Sequence, residues 1–356
     1  MGRIFRHTYD GYCRTVPRTR STTSPARGST TATEVARAAG VSQSAVSLVM
    51  SGKAAGRIAP ATAAHIQEVA RSLGYRPNVA ARTLRTGTSG LLGLVVLDAS
   101  HPFYGHMLSA ADDAAAGHGL ALTMIQTRGH EDTWEQRLAD QLSSGHLAGA
   151  IVCGERLSEG SPLRDRHDRL VFVEVPEPGM RSVVLATAAA AADAVALLAS
   201  HGHDEIAYLA ADYPSAVFAS RVADCADAAR QHGVTLRTDP RWRATFDVES
   251  ATAAAGRLLD DGARAVVCDD DLLALALHRV AAERRVTVPE DLEIVGVGDL
   301  DTARLVSPEL TTVRLPATSI AAAAVTLLLD ALAGRETPET TTVEAPLVER
   351  GTTRSV

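Results

Sequence analysis

The chain has 356 residues, 46% hydrophobic and 22% charged, the composition of a soluble globular protein of two or three domains. No apolar run reaches the roughly 18 residues a membrane span needs, and the Arg- and Ser/Thr-rich N-terminus lacks the apolar stretch of a secretory signal. The net charge of -7 hides a division: through Thr88 there are 13 Arg/Lys against three acidic residues, and beyond it 22 against 39. A basic head on an acidic body suits a head that meets polyphosphate while the body stays off it.

In chain order, residues 1–31 are Arg-, Ser-, Thr- and Pro-rich without apolar periodicity and are expected to be a disordered basic extension. Residues 33–50 then read as two short helices joined at Gly40-Val41. Ala36 is small enough to let the second helix cross closely, and Gly40 supplies the turn. Val41 and Val46 fill the wedge between the helices, and Ser42 is placed to cap the second one. This spacing is how a helix-turn-helix is built. Its second helix would present Gln43, Ser44, Ser47 and Leu48 to a DNA major groove. A third helix is predicted from about Pro60 to Leu73, with Pro in its first turn and Gly just past its end. Ile66, Val69, Ala70 and Leu73 would complete a small core with Val35, Ala39, Val41, Val46 and Val49.

Pro77-Asn78 opens a helix of barely two turns, too short to be stable alone in water. The linker 86–90 follows. From Leu91 onward, aliphatic strand-like runs (91–97, 120–125, 148–153, 170–175, 182–185, 206–210, 265–268, 292–297) alternate with Ala-rich helical segments. Apolar strands alternating with helices imply parallel sheets covered on both faces. There are enough strands for two such sheets, with a ligand expected between them at the carboxyl ends of the strands. Cys13, Cys153, Cys225 and Cys268 lack C-x-x-C spacing and are expected as free thiols in a reducing compartment.

Other motifs point to bland roles. His201 and His203 flank Gly202 without further metal ligands nearby, so a turn before a strand is expected there. Side chains of the adjacent Asp269, Asp270 and Asp271 diverge, and one of them should cap the following helix. Gly296-Val297-Gly298 lacks the third glycine of a dinucleotide fingerprint. No G-x-S-x-G elbow, P-loop or H-E-x-x-H occurs. The expectation is a protein that is no enzyme, with no catalytic residue, metal or cofactor.

The head, the lead Gly74-Tyr75-Arg76-Pro77-Asn78 and Ala80-Ala81-Arg82-Thr83-Leu84 together resemble the lactose repressor (LacI/GalR) family of bacterial transcription regulators. Weaker landmarks follow in the right order, among them His101-Pro102-Phe103-Tyr104, His201 to Ala207, Ile294 to Asp299, Pro308 to Val313 and Leu347 to Thr353. The resemblance covers roughly residues 32 to 354. It implies an all-α helix-turn-helix headpiece (32–76) and a hinge helix with linker (77–90). The α/β core (91–356) would be periplasmic-binding-protein-like, with two Rossmann-like subdomains, about 91–186 plus 316–344 and 187–315 plus 345–356. Partners implied are a pseudo-palindromic double-stranded DNA operator, a small-molecule effector such as a sugar, and a second copy of the chain.

Carried over by position, Gln43, Ser44, Ser47 and Leu48 should face base edges, and Ser42, Ser47 and Asn78 the phosphates. Ala81 and Leu84 match hinge residues that enter the minor groove, with Leu84 as the wedge. Unstacking a base step costs a few kcal/mol, offset by the contacts that the bend allows. Leu48 replaces a polar base reader found in many members, so it either meets a thymine methyl or packs. Phe103, Glu174, Arg221, Trp242 and Asp269 fall at positions lining the family's effector cleft. Asp269 stands where an Asn is usual, and Gly298 where many sugar-responsive members have an Asp.

No leucine heptads follow Arg350, which argues for a dimer rather than a coil-linked tetramer. A soluble solute-binding protein would share the body but should lack residues 33–85 and carry a leader. The cytoplasm is the expected compartment.

Overall fold

The computed structural model of the chain describes residues 30–50, 54–75, 90–128 and 133–355. Two compact units divide it, Met1–Asn78 and Val79–Val356. The expected hinge helix, with Asn78, Ala81 and Leu84, lies outside the described residues, as do Cys13 and residues 1–29.

In the first unit, Thr31 opens α1 (Ala32–Ala39). Its hydroxyl accepts from the Glu34 amide at 3.3 Å, while the Glu34 carboxylate accepts from the Thr31 amide at 2.6 Å. This reciprocal cap satisfies two donors that the helix start leaves open. Gly40, at φ 66°, ends α1 and returns its N–H to the Ala36 and Arg37 carbonyls. Ser42 Oγ then accepts from the Ala45 amide at 3.2 Å and caps α2 (Gln43–Met50). α3 (Pro60–Ser72) starts on its proline. Val35, Ala36, Ala39, Val46, Val49, Ile66 and Ala70 form the buried core, with Val41 and Val69 packed against it. Leu73 does not join them; it is 41% exposed. The regular helix has ended at Ser72, so the spacing that aims Ile66 and Ala70 inward no longer constrains it, and its carbonyl instead accepts from Thr30 Oγ1.

The second unit contains two sheets. The first is wholly parallel, from β1 (Leu91–Val96), β2 (Ala121–Gln126), β3 (Gly149–Cys153), β4 (Leu170–Val173), β5 (Arg181–Leu185) and, late in the chain, β12 (Thr340–Val343). Its order is β12-β5-β4-β3-β1-β2. Leu92, Leu94 and Val96 of β1 pack under α4 (Pro102–Ala116) and α10 (Ala317–Leu332). Val95 faces the other way, onto α5 (Trp134–Ser143). The period-two alternation of a strand therefore serves two apolar faces, which is why the runs read as continuously hydrophobic.

The second sheet holds β6 (Glu205–Ala211), β7 (Thr235–Arg237), β8 (Arg243–Ala244), β9 (Ala265–Cys268), β10 (Glu293–Gly298), β11 (Thr311–Arg314) and β13 (Leu347–Val348). Its order is β13-β11-β10-β9-β6-β7, with β8 paired to the end of β6 and β13 antiparallel to β11. α6 (Thr187–Ser200) and α7 (Ala216–His232) cover one face; α8 (Val248–Asp260) and α9 (Asp271–Glu283) cover the other. The chain passes between the sheets after β5, after β11 and after β12, so the two subdomains share three crossings. Cys153, Cys225 and Cys268 are buried free thiols.

Candidate nucleic-acid interface and subdomain cleft

On the headpiece, Ser42, Gln43 and Ser44 are exposed, with the Ser42 and Ser44 hydroxyls 2.9 Å apart; Ser47 and Leu48 are half-buried. All five lie on or just before α2. Val46 and Val49 point into the core from the same helix, so one face is buried while Gln43 and Ser44 stay exposed. A helix start also directs its open amides and positive dipole end outward, which favours phosphate.

In the second unit, strand ends converge on a cleft between the subdomains. Asp98, His101, Phe103 and Tyr104 come from the turn after β1 and the start of α4, and Glu174 follows β4. From the other side come Ser215, Val217, Phe218 and Arg221 of the β6–α7 junction, Phe246, Asp270 after β9, and Gly298 at the end of β10. Carboxyl ends of parallel strands are where such folds place ligands.

Two ion pairs span this cleft. Arg221 Nη2 donates to Glu174 Oε1 at 2.9 Å, and its Nη1 donates to the Asp269 carbonyl at 2.9 Å. His101 Nε2 lies 3.0 Å from Asp270 Oδ2. Ser215 Oγ adds a bond to the Gly154 carbonyl at 3.1 Å. Burial pushes the Glu174 carboxyl above its ordinary range, opposed by the Arg221 guanidinium. Burial by itself would depress His101, but the Asp270 carboxylate outweighs it and holds the imidazole above its ordinary value. Glu174 has φ 70°, a left-handed conformation costly for a side-chain-bearing residue. Its backbone N–H stays in the sheet, bonded to the Val183 carbonyl at 2.9 Å.

Aromatic rings fill what the ion pairs leave. Phe246 lies 4.9 Å from both His101 and Tyr213, and Phe218 5.8 Å from Phe246. The free volume of the cleft is about 30 Å³, room for a water or two. A larger trough of about 490 Å³ lies beside it, within the second subdomain, sharing Ser215 and Phe218 with the cleft.

The Asp269–Asp271 run is a structural hub, each carboxylate tying a different element. Asp269 accepts from Tyr208 Oη at 2.7 Å and the Ala211 amide at 3.0 Å, holding the end of β6. Asp270 caps α9 through the Leu272 amide at 2.8 Å. Asp271 accepts from Thr312 Oγ1 at 2.6 Å and the Leu300 amide at 2.8 Å. Burial pushes Asp269 up to about 6; burial and the neighbouring Asp270 push Asp271 up to about 7. Among the described residues no group of His, Cys, Asp or Glu is arranged to hold a metal ion. His201 and His203 both bond Glu293, at 2.6 and 2.8 Å, at the opposite end of β10.

Comparison with known proteins decides the family. Residues 31–78 match the bacterial regulatory proteins of the lacI family, and residues 195–353 match a periplasmic binding protein-like domain. The transcriptional regulator GalR of Escherichia coli is 30% identical over 323 residues, covering 89% of this chain and 93% of GalR. This chain belongs to the LacI family. Solved structures agree with the fold. A lac repressor dimer bound to operator and the anti-inducer ONPF superposes with a TM-score of 0.78 at 20% identity, covering 92% of this chain and all of that one. A complex of the transcriptional regulator CelR with cellobiose gives 0.64 at 25% identity, covering 91% and 99%.

Against the positions that LacI-family resemblance suggested, Phe103, Glu174 and Arg221 all line the cleft. Asp269 contributes its carbonyl through Arg221, while its side chain borders the neighbouring trough. Trp242 is a correction. It is 2% exposed in the second subdomain's core, its Nε1 donating to Asp261 at 2.9 Å and Arg237 stacked over its ring. Its polar surroundings in sequence are the groups that hold the indole inward. From this segment it is Phe246, four residues on, that reaches the cleft. His101, Tyr104, Phe218 and Asp270 also line it, a role that the sequence reading gives to none of them; His101-Pro102, a helix start just past an apolar strand, is the available signal.

Proposed function

We propose that this LacI-family protein is a dimeric transcriptional repressor. It reads a pseudo-palindromic operator with two headpieces, and its operator affinity is set by a sugar or related metabolite in the subdomain cleft. In this reading Gln43, Ser44, Ser47 and Leu48 meet base edges in the major groove, and Ser42, Ser47 and Asn78 the phosphates. Ala81 and Leu84 enter the minor groove. Phe103, Glu174 and Arg221, joined by His101 and Phe246, contact the effector. It acts in the cytoplasm, on DNA, and is not an enzyme; among the described residues no helix is long and apolar enough to cross a membrane.

The observation that carries the reading is a two-sided cleft whose walls are tied by charged pairs from opposite subdomains. A ligand there must replace or rearrange those pairs, so its binding is coupled to how the subdomains stand. A solute-binding protein without a DNA role shares the cleft but not the exposed second helix. Electrophoretic mobility shift of the full chain on symmetric and scrambled duplexes, with and without sugars, separates the two. Preference for a symmetric duplex that shifts with a sugar supports the repressor. Equal, sugar-indifferent binding to both duplexes removes it.

A further inference from the structure

The cleft is acidic beyond what its own cations neutralise. Asp98, Glu174 and Asp270 line it, their side chains 5–6% exposed. Asp269, 1% exposed, stands directly beside Asp270 in the chain. Against these four carboxylates the buried cationic groups are Arg221 and, when protonated, His101; Arg128, on Asp98, reaches in from solvent. Buried carboxylates without full compensation are costly, so a ligand that brings positive charge is favoured and an anionic one opposed. Phe246, Phe218 and Tyr104 supply aromatic faces in the same cleft, and such faces attract cations and accept the apolar face of a ring.

A second observation points to the ligand's oxygens. Arg221 is 7% exposed and its Nε has no hydrogen-bond partner among the described residues, although both terminal nitrogens are bonded. A buried guanidinium N–H without an acceptor is an open position for a ligand oxygen.

Building on the effector reading above, we infer that the cleft is built for a hydroxylated amine, of the amino-sugar or aminocyclitol class. Its ring would lie against Phe246, its ammonium would be held by Glu174 and Asp270, and a hydroxyl oxygen would accept from Arg221 Nε. A void of about 30 Å³ does not admit such a ring, so entry moves Phe246 off His101 and parts the subdomains. Phosphorylated sugars and sugar acids are excluded by charge.

The test is calorimetric titration of the full-length protein with matched pairs: glucosamine and glucose, galactosamine and galactose, mannosamine and mannose, with glucose 6-phosphate as the anionic probe. At least one amine is expected to bind about tenfold or more tighter than its neutral partner, as a charge-assisted contact in a shielded site would give, and glucose 6-phosphate not at all. In Glu174→Gln and, independently, Asp270→Asn, the preference for the amine should shrink while residual binding of the neutral sugar persists. If a neutral sugar or the phosphate binds as tightly as any amine and Arg221→Ala abolishes that binding, the charge inference falls while the effector cleft stands. If the titrated sugars bind equally well in all three variants, the cleft reading falls with it. Absence of binding by all three amines overturns the inference as well.

Discussion

Arg221 of α7 and Glu174 at the end of β4 meet at 2.9 Å across the boundary between the two subdomains, both side chains less than a tenth exposed. Arg221→Ala leaves a buried carboxylate without its partner, a loss of about 3–5 kcal/mol by analogy with broken buried pairs. Arg221→Met combined with Glu174→Leu should recover most of that stability, because the uncompensated charge is gone. Urea unfolding of the unaltered protein and the two variants checks it; a double variant no more stable than Arg221→Ala alone would refute the pairing.

Stability should fall as pH rises from about 4 to about 7. Asp271 sits near 7 in the folded chain against an ordinary value of 3.8. Across that window the native state therefore binds more protons than the unfolded one, and its stability declines with pH. A shift of about three units corresponds to roughly 4 kcal/mol. The raised His101 adds in the same direction, its contribution lost as pH passes its folded value. Asp271→Asn, which keeps an acceptor for the Leu300 amide and offers a donor to Thr312, should flatten the profile. Melting temperature against pH for both proteins is the measurement; parallel profiles would contradict the assignment to Asp271.

Gly296 owes its identity to the same carboxylate. A Cβ there would sit 2.3 Å from Asp271 Oδ1, and that oxygen is pinned by Thr312. Gly296→Ala should cost about 1–3 kcal/mol, the range of overpacked sites. Adding Asp271→Ala should return part of it. Additive losses in the double-variant cycle would exclude the clash as the cause.

In the headpiece, Gly40→Val forces a β-branched residue to φ 66°, with a cost of about 1–2 kcal/mol from the backbone alone, since no described residue lies within contact of a Cβ there. Gln43→Ala, at an exposed position, should leave melting unchanged. It should weaken binding to a specific site by about 1–3 kcal/mol, as loss of a base contact does, with little change on random DNA. Equal weakening on both duplexes would assign Gln43 to the phosphates instead.

Much of the fold was legible because it is written in local physics. The Ala36, Gly40 and Val46 spacing gives the paired helices, and runs such as Leu91–Val96 and Ala265–Cys268 are strands wherever both sheet faces are covered. The short, Thr-rich pieces at Thr311–Arg314 and Thr340–Val343 were not legible. They carry little apolar signal, and partners across the sheet make them strands. Trp242 was misplaced for a related reason: polar neighbours at Asp239 and Arg241 suggest an open loop. The inward turn of the indole depends on Arg237 and Asp261, from other elements.

By itself the sequence determined the helix-turn-helix, the alternation of strands and helices, and the charge division between head and body, since each depends on residues close in the chain. Strand order, the three crossings between sheets and the pairing of Arg221 with Glu174 and His101 with Asp270 were decided only in three dimensions. Those contacts join residues 47 and 169 positions apart, and no local preference encodes a meeting that depends on how two whole sheets come together.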